Sequence, residues 1–224
     1  MKKITCKLIL FIITFLGVWT YSQEKENFLN IPNILQKIVP NSGISSWILL
    51  YNDGGKDQPI ITSGAKPNYT PQSSGFDLFP EEDSFYYIAY SQGGKVGYVT
   101  DLQALKIFIG KIDNVQEAAI AAAMDGYFVD EEFKDIAGNY YEDGTNYYLG
   151  LGKLTSKECP YQKKHYTLTI NKSTGEISEV DDHGAYIELY NKTCTNNPRL
   201  LKLEQKKEEP KEEPIKKGKR STKK

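Results

Sequence analysis

Residues that carry chemistry are scarce in this chain. Only two histidines occur, His165 and His183, in 224 residues. No Gly-x-Ser-x-Gly elbow is present, which removes one usual local signature of a serine nucleophile. No Cys-x-x-Cys spacing exists to lower a thiol pKa. Gly93-Gly94 lies between two strand-like runs and does not lead into a helix, so it is not a phosphate loop. The leading apolar run, Leu8 to Trp19, is broken only by Thr14 and Gly17. At roughly a dozen residues it is too short to span a bilayer. A basic body is also missing. Between Gln23 and Leu200 there are 15 Lys/Arg against 24 Asp/Glu, a difference of −9. That argues against nucleic acid as a partner, because phosphate binding needs a basic surface.

What is present begins with an address. Lys2, Lys3 and Lys7 precede the apolar run, and small Ser22 precedes the polar Gln23-Glu24-Lys25-Glu26. That order predicts a signal peptide over residues 1–22 and an exported mature chain, periplasmic, outer-membrane-associated or secreted. Cys6 precedes the apolar run, so it is not a lipidated cysteine, and it leaves with the signal. Cys159 and Cys194 remain. An even pair in an exported chain predicts a disulfide, with two free thiols as the alternative.

The rest divides into a globular region, residues 23–200, and a tail, 201–224. The tail has 10 Lys/Arg against 5 Glu, a difference of +5. It contains Pro210 and Pro214 and no aromatics, a composition that predicts disorder. A weak electrostatic contact of this arm with an anionic membrane surface is one expectation, and a solubilising terminus is the other.

Within the globular region, Asn30 and Pro32 open a short helix carrying Ile34, Leu35 and Ile38. Ser46 to Tyr51 is apolar on both faces and predicts a central strand. Gln58 to Thr62 can pair back with it across Asp53-Gly54-Gly55. Ser63 to Ser74 reads as a surface loop, and Phe76 to Phe79 as a short strand. Ser84–Ser91 and Lys95–Thr100 flank Gly93-Gly94 as a hairpin. Two helices follow. Thr100 or Asp101 caps the first, with Gln103 in a capping-box position relative to Thr100, and Gly110 ends it. Asn114 caps the second, with Glu117 in the capping-box position, and Gly126 closes it. Its alanine-rich body, Val115 to Asp125, predicts close packing on a sheet. Strand pairs then recur: Asn139–Tyr141 with Asn146–Leu154, and His165–Asn171 with Glu176–Val180, followed by Ala185–Tyr190. A long loop, Thr155–Lys164, carries Cys159. The fold class is α+β, an antiparallel meander sheet packed on two consecutive helices.

Candidate chemistry is thin. His165 reads as solvated beside Lys163 and Lys164. Asp181-Asp182-His183-Gly184 offers metal-type donors, but neighbouring side chains on a strand point to opposite faces, so no metal site and no cofactor is assigned. Glu81-Glu82-Asp83 and Asp130-Glu131-Glu132 could supply paired carboxylates for hydrolysis, or be solvated loops. A Cys–His catalyst would need a thiolate that the disulfide removes. The 16 tyrosines leave most room for function. Tyr86, Tyr90, Tyr98, Tyr147 and Tyr148 are candidate ligand contacts, since tyrosine offers a broad face with a polar tip. Cross-strand pairing that stabilises the sheet explains them equally.

From Phe108-Ile109-Gly110-Lys111-Ile112-Asp113-Asn114-Val115-Gln116-Glu117-Ala118-Ala119, through Glu158-Cys159-Pro160, to His165-Tyr166-Thr167-Leu168-Thr169-Ile170-Asn171-Lys172-Ser173-Thr174-Gly175-Glu176-Ile177, the chain is similar to small uncharacterised exported proteins of Bacteroidota, of flavobacterial type. Tyr21-Ser22-Gln23 also resembles their signal ends. The Thr174-Gly175-Glu176-Ile177 hairpin distantly resembles PepSY-type domains, although the helix-to-hairpin spacing here is longer than theirs. These motifs are structural and carry no functional residue across. The expected function is a non-enzymatic binding module for an envelope glycan, peptide or protein. A structural envelope protein and a carboxylate hydrolase are the alternatives. Oligomeric state is not legible.

Overall fold

A computed structural model describes residues 24–198 apart from 42, 80–83, 193 and 196. The signal peptide read at 1–22, the tail at 201–224 and the acidic triplet Glu81-Glu82-Asp83 lie outside the described residues. The architecture is α+β, with all strand pairs antiparallel. The strands divide into two sheets where the pattern suggested one.

The smaller sheet has the order β3-β2-β4-β5, with β2 Ser46–Asp53, β3 Lys56–Ser63, β4 Phe85–Gln92 and β5 Lys95–Val99. Residues Ser46 to Leu50 are all buried because β2 is central and apolar on both faces. β3 is an edge strand and tolerates Pro59, which sits where the register slips between Leu49 and Leu50. Gly93 and Gly94 both take positive φ, 57° and 76°, in the β4–β5 turn. Phe76 makes only an isolated bridge to Tyr86, so the expected strand there is a single contact.

The larger sheet has the order β1-β7-β8-β9-β10, with β1 Glu26–Asn27, β7 Gly138–Glu142, β8 Asn146–Ser156, β9 Tyr161–Asn171 and β10 Ile177–Leu189; β6, Tyr127–Phe128, also pairs with β8. β8 and β9 run further than the sequence suggests, so the long loop around Cys159 shrinks to residues 157–160. His165 accordingly lies inside β9 and not at its start. The segments read as two last strands are one bulged β10. Cys159 and Cys194 are disulfide-bonded, with Cα atoms 5.4 Å apart, joining the β8–β9 turn to the chain beyond β10. Closing a 35-residue separation corresponds to roughly 3–4 kcal/mol in the chain-entropy picture.

Four helices complete the described fold: α1 Ile31–Leu35, α2 Leu102–Ile109, α3 Val115–Ala123 and α4 Lys134–Ala137. Asn30, Asp101 and Asn114 each accept from the backbone N–H three residues on, capping the first three. Of the two expected caps, Thr100 and Asp101, it is Asp101 that caps α2. One core cluster draws on α1, α2, α3, the Trp47/Leu49/Ile88 face of the smaller sheet and the Leu149/Leu151/Leu168/Ile170 face of the larger. Ala118 and Ala122 of α3 are fully buried, so the alanines allow close approach inside that core.

Candidate functional site

Two turns and two helices create a cleft of about 550 Å³. Helix α2 ends at Gly110, whose φ of 74° turns the chain toward α3. The β9–β10 turn approaches from the other side. Gly175, at φ 70°, comes so near that a side-chain carbon there would lie 3.0 Å from Ile112 Cδ1. That turn is itself tied down. Lys172 bonds the Asp143 carbonyl at 2.5 Å and the Glu142 carboxylate at 2.8 Å, and lies 4.7 Å from the Tyr147 ring centre. The cleft walls are therefore fixed by packing on both sides.

Its lining is mixed, with Leu102, Ile109, Ile112, Ile120, Ala121 and Ile177 as the aliphatic part. Lys106, Asp125, Thr174 and Glu176 supply the polar positions, with Glu117 deeper in the fold. Glu117 has 0% exposure. Its Oε1 accepts from Val39 N–H and its Oε2 from Asp113 N–H, each at 2.7 Å. Burial pushes its carboxyl pKa up, against the opposing effect of those backbone donors. A raised carboxyl in a cleft suits a general acid, but both oxygens here are engaged by backbone N–H groups and none of the residue is accessible. Glu117 holds the segment before Asn41 and the start of α3 together, so the reciprocal capping box is replaced by a clamp on Asp113 and Val39.

A second buried carboxylate lies on the far face of the larger sheet. Asp130 Oδ2 accepts from Tyr186 O–H at 2.7 Å and pairs with Lys163 at 3.4 Å, while its Oδ1 takes the N–H groups of Glu132 and Phe133. Lys163 stands 4.8 Å from the Phe79 ring centre and 5.4 Å from that of Phe128. Glu131 caps α1 by accepting from Ile31 N–H. The Asp130-Glu131-Glu132 run thus supplies fold-holding contacts, and sequence alone gave no sign that Lys163 would be buried opposite it.

The five candidate tyrosines are not brought together. Tyr86 is buried in the main core, and Tyr90 packs on Phe108 at 5.5 Å. Tyr98 lies on the opposite face of the smaller sheet, its hydroxyl accepting from Thr70 N–H. Tyr147 is buried under Lys172. Tyr148 is on the outer face of the larger sheet, stacked on Tyr141 at 4.4 Å and 9°. The Ser63–Ser74 loop contributes Tyr69, which closes over Tyr87. The cleft residues themselves were read from sequence only as the helix stripe and caps, because nothing local marks where a distant turn will dock.

No protein-family model, curated protein or solved structure matches the chain. Among the described residues, no group of three or more His, Cys, Asp or Glu side chains converges as a metal site, and no helix is long and apolar enough to cross a membrane.

Proposed function

We propose that the chain is an exported binding module whose α2–α3 cleft takes an aliphatic segment of a peptide or protein partner. The carrying observation is the cleft itself. At about 550 Å³ it falls within the range of ligand pockets, and it combines six aliphatic side chains with Lys106, Asp125, Thr174 and Glu176 as polar groups that could fix a partner's orientation. Sugars favour aromatic platforms, and no aromatic side chain lines this cleft, which supports peptide over glycan. The disulfide is compatible with an oxidising compartment and with the signal-like start of the chain.

Residues 23–224, produced with the disulfide formed, should select aliphatic sequences from a peptide array. Ala121→Phe narrows the cleft from α3 and should weaken selected peptides by about tenfold or more, which is 1.4 kcal/mol. Leu189→Ser, at an exposed site away from the cleft, should leave affinity unchanged. An empty peptide array alongside glycan-array hits, or equal binding by Ala121→Phe with an unchanged melting curve, would overturn the reading.

A further inference from the structure

The chain's two histidines, His165 and His183, meet across the β9–β10 hairpin of the larger sheet. Their ring centroids are 4.6 Å apart with planes inclined at 26°. His165 is on β9, paired with Gly152 of β8, and His183 lies at the β10 bulge beside Gly184, whose φ is 86°. The Nε2 of His165 is buried and has no hydrogen-bond partner. Buried polar nitrogens are almost always paired, so an orphan calls for an explanation by something that donates to or coordinates it.

We propose that His165 and His183 form a cross-strand two-imidazole site for a divalent late-transition cation, with copper(II) preferred. The objection to a metal at Asp181-Asp182-His183 was that adjacent side chains on one strand diverge. Asp182 does turn away, pairing with Lys164 at 2.9 Å. The second imidazole comes instead from the neighbouring strand. Thr167 Oγ1 lies 2.8 Å from His183 Nε2. In the tautomer where that nitrogen donates, His183 Nδ1 carries a bare lone pair, and Thr167 is the outer partner that metal-binding imidazoles commonly use. His165 Nε2 then supplies the second lone pair. Terminal imidazole torsions are soft, so the stacked rings can turn toward a shared ion without moving the strands. The His165 ring must turn out of its buried seat toward exposed His183 for water to fill the remaining positions, and affinity should then follow the intrinsic order in which copper(II) exceeds zinc and nickel.

Copper(II) chloride titrated into residues 23–224 at neutral pH, followed by calorimetry and electron paramagnetic resonance, tests this. The expected result is one saturable equivalent with the signature of two imidazole nitrogens, and weaker zinc binding. His183→Ala, at an exposed position, should lower copper affinity by about tenfold or more, and Thr167→Val should lower it less while keeping both nitrogens. His165→Ala should match His183→Ala, with circular dichroism confirming that each variant is folded. No saturable binding, a signature lacking two imidazoles, or undiminished binding by the folded His165→Ala/His183→Ala double variant would overturn the proposal.

Discussion

The smaller sheet is covered on both faces, whereas the larger sheet is covered on one face and only partly on the other. In the smaller sheet, Trp47, Leu49 and Ile88 enter the main core, and Ile48, Leu50, Tyr87 and Ala89 form a second cluster under Tyr69, Phe85 and Tyr98. Tyr87 is fully buried there and donates to Asp57 Oδ2 at 2.5 Å. Burial, with the bond to Asp57 adding to it, pushes the Tyr87 pKa up. In the larger sheet, the segment around Asp130 and Phe128 covers part of the outer face. Tyr141, Tyr148, Thr167, Thr169 and His183 remain half-buried or exposed. The same residue type therefore does different jobs. Tyr87 in the smaller sheet is core material, whereas Tyr141 and Tyr148 on the outer face of the larger sheet border solvent, where contacts with other molecules are physically available.

The sharpest way to break this contrast is a pair of truncations. Tyr87→Ala should cost about 3–5 kcal/mol, since it empties a fully buried aromatic site and strips Asp57 of a donor. Tyr148→Ala should cost only about 0.5–1.5 kcal/mol, the order of a stacked aromatic pair. Equal losses in denaturant-unfolding free energy would mean that the outer face is as structural as the inner cluster.

A smaller effect is expected at the helix that both sheets share. Ala122 is fully buried in α3, so Ala122→Leu should overpack the common core by roughly 1–3 kcal/mol. An unchanged unfolding midpoint would show slack between helix and sheets, and would undo the description of one continuous core.

The smallest effect concerns pH. His165 has its folded pKa below the ordinary value of 6.5. Its unfolded form binds a proton first, so its contribution to stability is present above pH 6.5 and is lost as pH falls through the folded pKa. Unfolding free energy should therefore decline as pH drops below about 6.5, and His165→Phe should flatten that part of the profile. No decline in the wild-type protein would place this imidazole in contact with water, as the sequence suggested.

Much of the fold was legible because its signals are local. Asn30, Asp101 and Asn114 announce helix starts, Gly93-Gly94 and Gly175 announce turns, and the doubly apolar Ser46–Tyr51 run announces a central strand. The division into two sheets was not legible, because alternation along a strand says nothing about which other strands it joins. The two-residue strands β1 and β6 carry too little pattern to be seen. The cleft and the buried Asp130–Lys163 pair depend on partners 33 or more residues away, as does the seat of Gly175 against Ile112. The tyrosine candidates failed to converge for the same reason: strand parity assigns a face, but not what covers it.

The Cys159–Cys194 bond has a topological consequence. Both strands of the β9–β10 hairpin, Tyr161–Asn171 and Ile177–Leu189, lie wholly inside the covalent ring it closes. The outermost strand is thus held at one end by its turn and at the other by sulfur. It cannot peel off as a free arm and trade places with its counterpart in another copy; the hairpin would have to leave as a unit. A pull on the chain beyond Cys194 bypasses β10 and reaches the backbone at Cys159, just before β9. Reduction would open the ring and turn the same edge into a strand that can be unzipped from its end.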